Sequence, residues 1–167
     1  MNSRDRVLKA INHKEADKVP VGLGSMRSTG ISVTAYSKLL KMLGFKNRIP
    51  KMYDFIQQLA YPDKEILDLF KIDAIDASQA FLNSGKNWRN WTLKDGTKCL
   101  IPYYLNIEKD EDGTIYLKDS DGVVLGTKPK NSLYVNQTYY AYSNLDKIPT
   151  SFSKKYLKHN IESYGIM

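Results

Sequence analysis

Over the first seventy or so residues apolar side chains recur three and four positions apart, while beyond residue 88 they alternate with polar ones. The stretch "SRDRVLKAIN" (3–12) is predicted to be helical. Ser3 is its N-cap, Asp5 lies where the helix dipole favours a carboxylate, and Val7, Leu8 and Ile11 share a face. "VPVGLG" (19–24) is a short apolar run ending in glycines and reads as a buried parallel strand, with Pro20 at its start. A second helix follows "STGIS": Ser32 caps it, Tyr36, Leu39, Leu40 and Leu43 recur at helical spacing, and Gly44 terminates it. Strand, glycine-containing loop and helix make the opening βα unit of an α/β fold.

The segment "YDFIQQLAYPDKEILDLFKIDAID" (53–76) reads as two further helices and a strand. In the first helix, about 100° of rotation per residue places Asp54, Gln57 and Gln58 on one arc. Pro62 suits the first position of the next helix, with Asp63 and Glu65 in its first turn and Ile66, Leu67 and Phe70 on its buried face. "IDAID" (72–76) is a candidate second strand. From residue 88 three Asp-Gly pairs (Asp95-Gly96, Asp112-Gly113 and Asp121-Gly122) separate alternating or β-branched runs, the signature of successive hairpins. An antiparallel meander over 88–145 is expected, with "SLYVNQTYYAYS" (132–143) continuing it. Residues 1–87 form the first division, and 146–167 a weakly helical tail.

Composition leaves this picture in place. The chain has 167 residues, 42% hydrophobic and 26% charged, which is ample for one buried core. No apolar run nears the roughly 18–20 residues that span a bilayer, and the charged N-terminus has no signal-peptide core. Cys99 is the only cysteine, which excludes an internal disulfide and points to a reducing compartment, the cytoplasm. The net charge of +7 comes mostly from dispersed lysines, with the densest cluster at "KKYLKH" (154–159). Scattered charge makes no continuous phosphate track, so neither nucleic acid nor membrane is an expected partner.

Taken in order, "SRDRVLKAINHKEADKVPV", "STGISVTAYSKLLKMLG", "YDFIQQLAYPDKEILDLFKIDAID" and "EKDEDGTIYLKDSDGVVLGTKPKNSLYVNQTYY" resemble the N-terminal part of uroporphyrinogen-decarboxylase-like proteins. That superfamily also contains cobalamin-dependent methyltransferases, and the "YD..QQLA" block with its hairpin insertion is similar to the methyltransferase side. The resemblance implies the N-terminal part of a (β/α)8 TIM barrel with an antiparallel hairpin insertion, incomplete here because such barrels need about 250 residues. It implies methyl transfer to or from a corrinoid protein, with zinc activating a thiolate in the full-length protein. The family's His-x-Cys pair belongs to a C-terminal half, so this chain is expected to bind no cofactor alone, to be inactive alone, and to need that half or an oligomeric partner. Apolar edges at 19–24 and 72–76 are expected to stay exposed. Two alternatives stand beside this reading: uroporphyrinogen decarboxylation in tetrapyrrole synthesis, and a non-enzymatic basic binding module.

The resemblance also bears on individual residues. "MRSTGI" (26–31) matches the Met, Arg and Gly of the decarboxylases' substrate-gripping "MRQAGR" loop, which makes Arg27 a substrate-binding candidate. Ile31 stands where that pattern has its second arginine, which suits a smaller, less charged ligand. Asp54, Gln57 and Gln58 are read either as a solvated arc or as a polar strip that lines the substrate mouth or locks its helix to the Arg27 loop. Asp73 and Asp76 flank an apolar pair; a carboxylate at such a strand end can serve as general acid or base or orient an imidazole-like or pyrrole nitrogen, which makes Asp76 a substrate-binding candidate, although structural capping is the favoured reading of both. His13 reads as a helix-end cap and Cys99 as a small core residue. No catalytic residue and no metal ligand are assigned.

Overall fold

The computed structural model describes residues 1–77 and 85–140, and the candidate tail, the "KKYLKH" cluster and His159 lie outside them. In chain order the elements are α1 (Ser3–Ile11), α2 (Val33–Met42), β1 (Lys51–Asp54), β2 (Leu59–Tyr61), α3 (Lys64–Leu69), β3 (Trp88–Thr92), β4 (Lys98–Pro102), β5 (Asn106–Lys109), β6 (Ile115–Lys118), β7 (Val124–Lys128) and β8 (Asn136–Gln137). Among the described residues three α-helices and two four-stranded sheets make a small, strand-rich mixed α/β arrangement, and the expectation of a TIM-barrel fragment is overturned. A barrel fragment alternates helices with mutually parallel strands. Here one sheet runs β2-β1-β4-β3, in which β1 and β4 are parallel and β3 and β4 antiparallel, and the other runs β5-β6-β7-β8, antiparallel throughout. The two runs read as parallel strands contribute one bridge, Gly22 to Ala74.

The helix expected over 53–60 is also absent. Strands β1 and β2 lie side by side in the sheet, and the chain reverses between them at 55–58. The Asp54 carboxylate accepts the Gln57 N–H at 2.9 Å, and Gln58 takes a left-handed backbone with φ 56°, so local turn chemistry displaces the helix. The shared arc of Asp54, Gln57 and Gln58 disappears with it. Smaller boundaries shift too: Asn2 rather than Ser3 caps α1, and Asp63 rather than Pro62 immediately precedes α3. Phe70, expected on the buried face of α3, is exposed.

The chain forms two compact units, one of Met1–Tyr53 with Gln58–Pro102, the other of Asp54–Gln57 with the residues from Tyr103 onward. In the first, Tyr53, Leu59 and Trp88 form a buried cluster with Tyr61 and Leu100 packed against it. Val33, Tyr36 and Leu40 give α2 its fully buried stripe at helical spacing. In the second, Leu105, Leu117, Leu125 and Val135 are buried, and the Val135 N–H donates to the Ile56 carbonyl at 3.2 Å.

All three Asp-Gly pairs close hairpins, and all three use one geometry. Only the glycines have positive φ (82°, 92° and 82° at Gly96, Gly113 and Gly122), and each donates back to the residue three before it, Leu93, Asp110 or Asp119. This is the three-residue loop with its bulge glycine, not the two-residue turn in which both residues are left-handed. The meander read over 88–145 is therefore divided: β3 and β4 belong to the first sheet and β5–β8 to the second.

One end of the Gly22–Ala74 bridge is locked by charge. Arg6, buried on α1, donates to both oxygens of Asp17 at 2.6 and 2.8 Å and to the Met1 carbonyl at 2.9 Å, and it pairs with Asp73. The other Asp73 oxygen accepts the Val21 N–H at 3.0 Å, and the Asp73 N–H donates to the Val21 carbonyl at 2.7 Å. The Val21 N–H, the Ser3 hydroxyl and the Arg6 guanidinium together draw the Asp73 carboxyl down to about 2. Folding thus makes Asp73 more acidic: its stabilisation is complete above the unfolded carboxyl's value of about 3.9 and is lost as pH falls toward about 2. We expect Asp73→Asn to lower the urea midpoint at pH 7 and to flatten its decline between about pH 4 and pH 2. An unchanged midpoint with the same acid profile would remove Asp73 from the lock.

Candidate functional site

The candidate site lies at the other end of that bridge. After Gly22 the chain enters the segment "LGSMRSTGIS" (23–32), which turns tightly on itself. The Gly24 N–H donates to the Thr29 carbonyl at 3.0 Å, the Thr29 N–H to Met26 at 3.1 Å and the Gly30 N–H to Arg27 at 3.0 Å. Thr29 Oγ1 donates to the Met26 carbonyl at 3.0 Å and accepts the Met26 N–H at 3.2 Å, with Ser25 Oγ at 3.1 Å. Arg27 opens the short 3-10 turn Arg27–Thr29 and is half-buried.

The loop's far side is pinned by backbone. The Ala60 N–H donates to the Ile31 carbonyl and the Val33 N–H to the Gln58 carbonyl, both at 2.8 Å, with an antiparallel bridge between Ser32 and Leu59. Ser32 then caps α2 through the Ala35 N–H at 3.3 Å. Further along α2, Tyr36 is fully buried; its hydroxyl donates to Asp63 at 2.8 Å and accepts the Asp63 N–H at 2.7 Å, tying α2 to the start of α3. Burial pushes that phenol well above its ordinary range, so it remains a donor.

Two more polar groups belong to this end of the bridge. Asp76, half-buried, stands two residues beyond Ala74 as Gly24 stands two beyond Gly22. Tyr61, half-buried at the end of β2, has its phenol raised first by burial and then by the Asp76 carboxylate. Pro62 follows, and its Cδ and Cγ lie 3.2 Å from where a side chain on Gly24 would begin. Tyr61 escaped the sequence reading because 53–60 looked helical; the "LAYP" context, an aromatic before a proline that forbids a helical residue ahead of it, was the available signal.

The expected site residues therefore separate. Arg27, Gln58 and Asp76 belong to the first unit, and Gln58 contributes its carbonyl to the loop's backbone clamp. Asp54 and Gln57 belong to the second unit, where Asp54 is buried and accepts from Gln57 while the Gln57 side chain is exposed. His13 holds the left-handed position after α1 at φ 55°, its N–H donating to Ala10 at 3.1 Å. Cys99 is buried in β4, its thiol pushed up to about 12 by desolvation and then by Asp95. A thiol held protonated in a sheet interior does not suit zinc, and among the described residues no three His, Cys, Asp or Glu side chains converge on a metal-sized site. The described residues do not fit that metal. Among them, no helix is long and apolar enough to cross a membrane.

Gly24 has φ 71° and a wall at Pro62, whereas Gly44 has φ 91° and open space around it. Gly44→Ala should therefore cost only the left-handed penalty, about 1–2 kcal/mol. Gly24→Ala should cost more and loosen the Arg27 loop, read by denaturant unfolding of both variants. Equal losses would mean that the Pro62 contact does not constrain the loop.

Searches of protein-family models, curated proteins and solved structures found no match to this chain.

Proposed function

We propose that this chain belongs with the uroporphyrinogen-decarboxylase-like proteins, on their methyltransferase side, and that its Arg27 loop binds the carboxylate of a small substrate. The observation that carries the reading is the loop itself: a half-buried arginine in a backbone-closed turn, just past a parallel bridge and clamped from the other side by residues 58–60. The closed turn fixes the backbone that carries Arg27, and a guanidinium can pair with one carboxylate through two parallel N–H donors. Ile31 contributes its carbonyl to the clamp and no second cation, which favours a ligand with one carboxylate over a polycarboxylated porphyrinogen. The methyl group would pass to or from a corrinoid protein, and no step is assigned to zinc because the described residues do not hold it. A lone cysteine kept as a thiol supports a reducing cytoplasm as its location.

Titration of the purified chain with propionate, followed by the amide NMR signals of residues 24–33, tests the reading. We expect saturable shifts in this loop, weakened about tenfold or more by Arg27→Lys, which keeps the charge but loses the two-pronged geometry, and abolished by Arg27→Ala. Equal affinity in the wild type and Arg27→Ala would refute the assignment.

A further inference from the structure

We infer that the second unit holds a binding site for a small uncharged aromatic compound of two fused rings, in a cavity at the end of the β5–β6 ladder; this site lies apart from the Arg27 loop in the chain and does not depend on its reading. The cavity measures about 270 Å³, its surface is mostly apolar, and Tyr104, Leu105, Asn106 and residues 117–120 line it. Asn106 and Lys118 are the end pair of the ladder, so Tyr104 and Leu105 enter β5 where Asp119 and Ser120 leave β6. In a regular strand neighbouring residues turn to opposite faces. The register of β6 against β7 slips between Leu117 and Lys118, and a bulge of this kind bends the strand. The bend lets residues 117–120 border one space.

The walls specify the occupant. Leu105 and Leu117 are buried, and Tyr104, which is exposed, adds an aromatic side chain. The polar groups are engaged within the chain. Lys118 pairs with Glu108, the Asn106 amide donates to the Asp119 carbonyl at 3.2 Å, and the Asp119 carboxylate accepts the Asp121 and Val123 N–H groups, both at 2.9 Å. Such a wall rewards apolar contact and gives water little to hold. A charged ligand would have to shed its hydration against leucines, with Lys118 already paired. A cavity of about 150 Å³ suffices for benzene, so the larger volume here admits a second fused ring. A flat ring also gains an offset or edge contact with Tyr104 that an aliphatic chain lacks. The ladder and the Asp119 turn hold these walls before anything binds, which spares the ligand the cost of ordering them.

Indole, tryptamine and indole-3-acetate share one ring system and differ in charge. Titration of the full chain, followed by its amide NMR signals, should give saturable shifts with indole at Leu105, Leu117 and residues 118–120. Residues 24–33 should stay still, which keeps this test apart from that of the Arg27 loop. We expect tryptamine and indole-3-acetate to bind at least about tenfold more weakly than indole. Phenol, one ring smaller, should also bind more weakly. Tyr104→Ala should weaken indole about two- to tenfold, and Tyr104→Phe should leave it unchanged. Should Tyr104→Ala fail to fold, the wild-type preference for indole over its charged analogues decides alone. Shifts that grow linearly without saturation, charged analogues that bind as tightly as indole, or a folded Tyr104→Ala chain that binds indole unchanged would overturn the inference.

Discussion

The geometry of the candidate site depends on a left-handed residue. Gln58 adopts φ 56° at the end of the turn between β1 and β2, a conformation that costs a side-chain-bearing residue roughly 1–2 kcal/mol. That turn lets the Gln58 carbonyl reach the Val33 N–H and the Ala60 N–H reach the Ile31 carbonyl. Two backbone hydrogen bonds, each worth about 1 kcal/mol net, and burial of Leu59 offset the strain. Without this clamp, the segment from Gly24 to Ser32 would lose its backbone tie to β2.

The Gly22–Ala74 bridge has two different ends. On the side of Val21 and Asp73, a buried guanidinium faces two aspartates, and the backbone of Val21 completes the shell. On the other side Gly24 opens the Arg27 loop, and Asp76 stands two residues beyond Ala74. The first end fixes where the two segments sit.

Local signals in the sequence were reliable where one residue type controls the backbone. The three Asp-Gly hairpins, the Ser32 cap and the Gly44 terminus of α2 all follow from short-range chemistry, whereas of the α2 face read as Tyr36, Leu39, Leu40 and Leu43 only Tyr36 and Leu40 are fully buried and Leu43 is exposed. Pairing partners were much less legible. Residues 53–60 carry an apolar spacing compatible with a helix, yet an Asp54-centred turn and the placement of β1 between β2 and β4 prevail. Likewise, "VPVGLG" and "IDAID" looked like full strands, whereas they meet at one bridge, because Asp73 spends its side chain on Arg6 and the Val21 N–H. Arg27 was visible through the "MRSTGI" pattern, whereas the approach of Pro62 to Gly24, residues far apart in the chain, is encoded by no spacing rule.

The claim that residues 58–60 hold the Arg27 loop in a preformed state is most directly tested by native-state hydrogen exchange at the Val33 and Ala60 amides. The account predicts that both exchange only through an opening as costly as that which frees the Leu100 amide in the sheet, so that the three share one opening free energy. Exchange of Val33 and Ala60 at rates near those of an unstructured peptide, while Leu100 stays protected, would contradict it.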